Sequence, residues 1–213
     1  MFRLLKITVL MLVAMVSLQA RADLDNDISH LQQRWAEVNY QLEGKTRLSE
    51  FEKLVAEATQ ATSSYPQAAE SWIWSGIIKS TYAGAKGGLG ALSLAKESRA
   101  DLEKALSLNA DALDGSAYTS LGTLYYSVPG WPVGFGDDKK AEEFLTKALS
   151  LNPDGIDSNY FYGNYLISEK RYDQARRYLK KAQQAKARPD RPLADSGRQK
   201  EILEALAGID GKK

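Results

Sequence analysis

Cysteine is absent from this 213-residue chain, histidine occurs once, and neither sign of charge prevails, with 28 Lys and Arg facing 27 Asp and Glu. Without cysteine there is no disulfide frame, thiolate nucleophile, four-cysteine zinc site or iron–sulfur cluster. One histidine cannot build a His-rich metal site, so no metal, cofactor or catalytic residue is assigned. The balanced charge removes the electrostatic basis for a nucleic-acid partner. What remains, at 44% hydrophobic and 26% charged residues, is the composition of a globular protein rather than of a disordered or collagenous one.

The N-terminus has the layout of an export signal. Arg3 and Lys6 make a basic start, Ile7 to Leu18 is a nearly unbroken apolar run, and Ala20 and Ala22 flank Arg21 with small residues. Residues 1–22 are therefore expected to be a cleaved signal peptide, and the protein to be exported, most simply to a periplasm. The run is about a dozen residues, short of the roughly 20 that a spanning helix needs, so no stable membrane insertion is expected after cleavage. Cleavage takes three basic residues from the 28 and none of the 27 acids, leaving a formal charge of −2.

Repetition dominates the remainder. Gly163, Ala175, Leu179 and Ala182 set small and apolar residues at spacings that recur in Leu121, Gly122, Tyr125, Ala141, Leu145, Ala148 and Pro153, and again in Trp72, Gly76, Ser98, Leu102 and Ala105. A weaker unit precedes these, with Leu31, Trp35, Val38 and Leu42 striping one helix and Leu54, Ala58, Ala61 and Pro66 on the next. In each second helix the small and large apolar positions are four and three residues apart, which puts them on one face. Small side chains there let two helices approach, and the large ones fill the space between neighbouring hairpins. Asn109 and Asn152-Pro153 end helices, and Asp137 is suited to begin one. Nine helices are predicted, near 26–42, 47–64, 68–83, 92–108, 113–127, 138–150, 156–168, 171–186 and 195–207. The last is expected to cap the array with Ile202, Leu203 and Leu206, and Asp195 to cap that helix.

These residues resemble the tetratricopeptide repeat family, whose unit is a helix-turn-helix of roughly 34 residues. The resemblance implies an all-α fold, a right-handed superhelical solenoid of helical hairpins with a C-terminal capping helix. Residues 23–66 form a degenerate first hairpin, 67–187 three repeats with two inter-helix insertions, and 188–213 a linker and the cap. The insertions, one of them Val128-Pro129-Gly130-Trp131-Pro132-Val133-Gly134-Phe135-Gly136-Asp137, are similar to those of an exported group that includes the T component of tripartite periplasmic transporters. The family implies a concave groove lined by the first helix of each hairpin. In its register the inward positions are Glu70, Ile73, Ile77 and Ser80, then Ser116, Thr119, Thr123 and Tyr126, then Asp157, Tyr160, Asn164 and Ile167. They carry no basic clamp, and they either meet a partner or contact a capping helix or loop.

Both insertions are chemically distinctive. Trp131 and Phe135 sit in a Pro- and Gly-bounded loop whose aromatic faces either fold back, with Trp131 a possible cavity wall, or meet a partner. Ala83 to Gly90 is glycine-rich but lacks the Gly-Lys-Ser/Thr order of a phosphate loop, and reads as a flexible connector. His30, the adjacent acids Asp137, Asp138, Glu142 and Glu143, and the basic run from Arg171 to Arg191 read as surface. Two functions fit. One is a non-enzymatic exported scaffold whose groove holds a protein or peptide segment; the other is a periplasmic accessory subunit with a pocket for a small, partly apolar ligand. The second requires both insertions to close over the groove, and packing of the aromatic loop on the outer side would count against it.

Overall fold

The computed structural model describes residues 2–212, with side chains for 21–88 and 90–212. The segment read as a leader, 1–22, falls almost wholly outside the residues with described side chains. Helices α1 (Phe2–Gln41), α2 (Gly44–Ser64), α3 (Ala69–Lys86) and α4 (Gly88–Leu108) are followed by a 3-10 turn at Ala112–Gly115. Then come α5 (Ser116–Ser127), α6 (Asp138–Leu151), α7 (Ile156–Ser168), α8 (Tyr172–Gln183) and α9 (Pro192–Gly208). No strand occurs among the described residues. The architecture is an all-α helical-repeat solenoid, in which α1/α2, α3/α4, α5/α6 and α7/α8 form antiparallel hairpins and each packs on the next.

The small residues of the repeat are where helices touch. A Cβ added to Gly122 would lie 2.5 Å from Leu145 Cγ and 3.1 Å from the Ala141 carbonyl oxygen, and one added to Gly76 would lie 2.5 Å from Leu102 Cγ. Leu102 and Leu145 are fully buried, as are Ala105, Ala141 and Ala148 between them and their neighbours. The α8 residues Ala175, Leu179 and Ala182 do the same against α7. One hydrophobic core runs through the last three hairpins. A second joins α1 and α2 to α3 through Leu31, Trp35, Val38, Phe51, Leu54 and Trp74.

Several boundaries differ from expectation. Ala83 to Gly90 is not a loose connector: α3 runs to Lys86, α4 starts at Gly88, and only Gly87, at φ 63°, interrupts them. That conformation costs glycine little. The helix expected from 113 starts instead at Ser116, because Leu113, Asp114 and Gly115 all take positive φ. Asp137 does cap α6, accepting from the Lys139 and Lys140 amides at 3.1 and 3.2 Å. Asp195 does not cap α9; it accepts from the backbone N and Nε of Arg188, each at 2.7 Å.

The terminal helix does more than cover a flank. Ile202 is fully buried, but Leu203 is 54% exposed, and α9 reaches past α7 and α8 to pack on α1. A Cβ on Gly197 would come within 2.5 Å of the Tyr40 ring, and Tyr40 Oη lies 3.4 Å from Glu201 Oε2 as donor to it. First and last helices therefore meet.

Candidate functional site

A cavity of about 580 Å³ occupies the space that the hairpins surround. Its walls follow from helix register. Ser116, Thr119, Ser120, Thr123 and Ser127 lie along one side of α5 and line it, while Ala117, Leu121, Gly122 and Tyr125 bury the other side in the core. Spacings of three and four residues make this a continuous hydroxyl stripe. Thr123 and Ser116 donate back to their own helix or its turn, to the Thr119 and Leu113 carbonyls at 2.9 and 2.6 Å. Opposite stand apolar groups from α3 and α4, among them Ile77, Ala83, Ala91, Leu92 and Ala95. Both insertions contribute: Gly84 and Gly88 from one hairpin tip, Val128, Pro129 and Val133 from the other loop.

The remaining end is aromatic and charged. Trp35, Trp74, Tyr160 and Phe161 line it together with Asp157, Arg191, Arg198 and Glu201. Asp157 receives Arg188 Nη1 at 2.7 Å and Arg198 Nε at 2.8 Å. Burial alone would raise the Asp157 carboxyl, but Arg198 and then Arg188 outweigh it and hold it well below the usual carboxylate range. Arg198, 6% exposed, also donates to Glu201 and lies 4.4 Å over the Tyr160 ring and 4.5 Å over that of Phe161. Burial pushes the Tyr160 and Tyr40 hydroxyls upward, so both stay protonated at neutral pH. Burial, followed by the like charge of Arg188, pulls Arg191 below its ordinary value. Among the described residues, no three His, Asp or Glu side chains converge to hold a metal ion.

Of the expected groove positions, Ile77, Ser80, Ser116, Thr119, Thr123, Asp157 and Tyr160 line this cavity. Five do not. Ile73 is fully buried in the hairpin core, Glu70 lies 3.7 Å from Arg21, Tyr126 packs at 5.9 Å on Tyr165, Asn164 is half-buried outside the lining, and Ile167 packs half-buried against the core. Trp131 is not a cavity wall: it is 89% exposed. Phe135 packs between Tyr125, at 5.5 Å, and the Arg99 guanidinium, at 4.5 Å, away from the cavity. The loop is thus divided, its Val133 turned to the cavity and its Phe135 to the α4–α5 side. The cationic groups were missed because they come from beyond the repeats. Arg191 and Arg198 belong to the segment read as linker and cap, and the register of the first helices carries no trace of them.

Residues 134–154 and 156–189 match the tetratricopeptide repeat family model. The matched stretch holds α6, α7 and α8, so the tetratricopeptide hairpin is the building unit there. The loop at 128–136 separates α5 from α6, and the match begins only at its end. Tetratricopeptide repeats generally mediate protein–protein interaction. No curated protein matches the chain. Among the described residues, no helix is long and apolar enough to cross a membrane.

Proposed function

We propose that this protein is a non-enzymatic, exported binding subunit whose tetratricopeptide hairpins curl around a chamber for a small, partly apolar ligand. The observation that carries this reading is that α9 packs on α1 and that both insertions border a cavity of about 580 Å³. A peptide helix or extended segment needs an open groove, whereas this volume falls within the range of ligand sites. The export signal expected at residues 1–22 and the resemblance of the insertions to those of T components of periplasmic transporters agree with an accessory role beside a transporter.

A protein partner is favoured by a different observation. Trp131 is 89% exposed in the 128–136 loop, and a large apolar side chain so presented suits docking on another surface. The two readings are compatible, with ligand inside and partner outside.

The experiment is uptake of the neutral fluorophore N-phenyl-1-naphthylamine by the purified full chain, with native mass spectrometry of the same material. Enhanced emission is expected for wild type and its loss for Thr123→Trp, which fills the hydroxyl side. Equal emission from both proteins, or none from wild type together with no co-purified mass, rejects the ligand chamber.

A further inference from the structure

Thr119 lies within the hydroxyl stripe of α5 and borders the cavity. It is only 7% exposed, yet its hydroxyl has no hydrogen-bond partner among the described residues. That oxygen is not sealed in the core, and the open space beside it is the cavity. Ser120, its half-buried neighbour, lines the same wall and is likewise unpartnered. Ser116 and Thr123 differ, since their hydroxyls are spent on the Leu113 and Thr119 carbonyls. A nearly buried hydroxyl left without a partner is unfavourable, so an oxygen on the occupant complements it. Because a hydroxyl both donates and accepts, that oxygen can belong to a carbonyl or to another hydroxyl.

The charged end of the chamber disfavours an ionic occupant. Asp157 is shared by Arg188 and Arg198, Glu201 is held by Arg198, and Asp195 by Arg188. Arg191, in the turn before α9, lies in the field of Asp157, Asp195 and Asp190. Each charge already faces an opposite one. A bound ion would have to displace a member of this cluster or stay unpaired along the apolar walls of Ala91, Leu92 and Val133. Either outcome is less favourable than a neutral oxygen at Thr119.

We propose that the chamber selects an uncharged ligand, an apolar body carrying a hydroxyl or carbonyl oxygen, with Thr119 as the hydroxyl that sets this specificity. This rests on the reading of the cavity as a ligand site and names the class of ligand. The shared chemistry is one neutral oxygen on an apolar frame.

Isothermal calorimetry on the full chain tests this with five naphthalene probes. The alcohol 2-naphthalenemethanol and the ketone 2-acetonaphthone carry the neutral oxygen, 2-ethylnaphthalene lacks it, and 2-naphthoate and 2-naphthylmethylammonium are the ions. The alcohol, the ketone or both are expected to bind at least about tenfold more tightly than either ion. Thr119→Val replaces the hydroxyl by a methyl group. It is expected to weaken the favoured probe by about three- to tenfold, the effect of one neutral hydrogen bond, while leaving 2-ethylnaphthalene within about twofold. Thr119→Ser keeps the hydroxyl and should keep the preference. An ion that binds as tightly as the alcohol and the ketone, or binding of the hydrocarbon alone, overturns the inference but leaves the ligand chamber standing. So does a Thr119→Val protein that binds every probe as wild type does or weakens all of them alike. Binding by none of the five removes both. Should Thr119→Val fail to fold, Thr119→Ala removes the same hydroxyl and takes its place in the comparison.

Discussion

Arg198 donates from Nε to Oδ1 of Asp157 across 2.8 Å, binding the last helix to the first helix of the final hairpin beside the place where α9 meets α1. Arg188 reaches the other carboxylate oxygen at 2.7 Å, so one acid bridges two buried or half-buried guanidinium groups, which pair further with Asp195 and Glu201. Asp157→Asn leaves both cations facing an amide. A loss of about 3–5 kcal/mol is expected, the usual consequence of removing one member of a buried ion pair. Urea denaturation measures it, and an unchanged midpoint would mean that the ends are held together by packing alone.

The same carboxylate sets an acid limit. Its folded pKa lies below the unfolded value of about 3.9, so the unfolded chain takes up the proton first. The stabilisation is complete above that value and is lost as pH falls through it toward the folded pKa. Melting curves between about pH 5 and pH 2 should therefore show wild type and Asp157→Asn converging at the acid end. A constant separation across that window would contradict the assignment.

Contact between helices, rather than backbone freedom, explains the glycine at 122. Gly122→Ala puts a methyl group into Leu145 and is expected to cost about 1–3 kcal/mol by overpacking. Gly84 has no atom within 4 Å of the same hypothetical methyl and lies inside α3. Gly84→Ala should then stabilise by about 0.5–1 kcal/mol through helix propensity. Thermal denaturation of the two variants gives opposite signs if this account holds.

What could be read from the chain follows from which interactions are periodic. Small and large residues at four- and three-residue spacings, as in Ala141, Leu145 and Ala148, report local helix faces, and so the hairpins were legible. Inward positions such as Thr119, Thr123 and Tyr160 follow from the same period. The closure was not legible, because Arg198 meets Asp157 across 41 residues and Tyr40 meets Glu201 across 161. Contacts of that range leave no spacing in the sequence. The glycine-rich stretch misled for another reason: composition signals flexibility, but Tyr82, Ala83 and Ala95 pack well enough to keep it helical on both sides of Gly87.

Lys79 and Asp101 form a further long-range pair, Nζ to Oδ2 at 2.6 Å, each 8% exposed, with Ser75 donating to the same oxygen at 2.6 Å. Lys79→Met strands the carboxylate between α3 and α4 and is expected to cost about 3–5 kcal/mol. The double change Lys79→Met with Asp101→Leu should recover most of that loss, since an apolar pair of similar volume avoids the desolvation penalty. Denaturation of single and double variants checks it. Losses that simply add would mean that the two charges act independently.

Trp131 and Phe135 lie four residues apart in one loop, yet their surroundings assign them opposite consequences. Trp131, at 89% exposure, loses nothing on unfolding, so Trp131→Ala should leave stability within about 0.5 kcal/mol. Phe135 is wedged between the Tyr125 ring and the Arg99 guanidinium, and Phe135→Ala should cost on the order of 2 kcal/mol through lost packing and the cation–π contact. That loss would also free the loop that carries Val133 along the cavity, weakening uptake of an apolar probe. Trp131→Ala should leave that uptake intact while reducing association with a protein partner. Thermal melts and probe titrations on both variants separate these roles, and a Trp131→Ala protein that melts early would return the tryptophan to the fold.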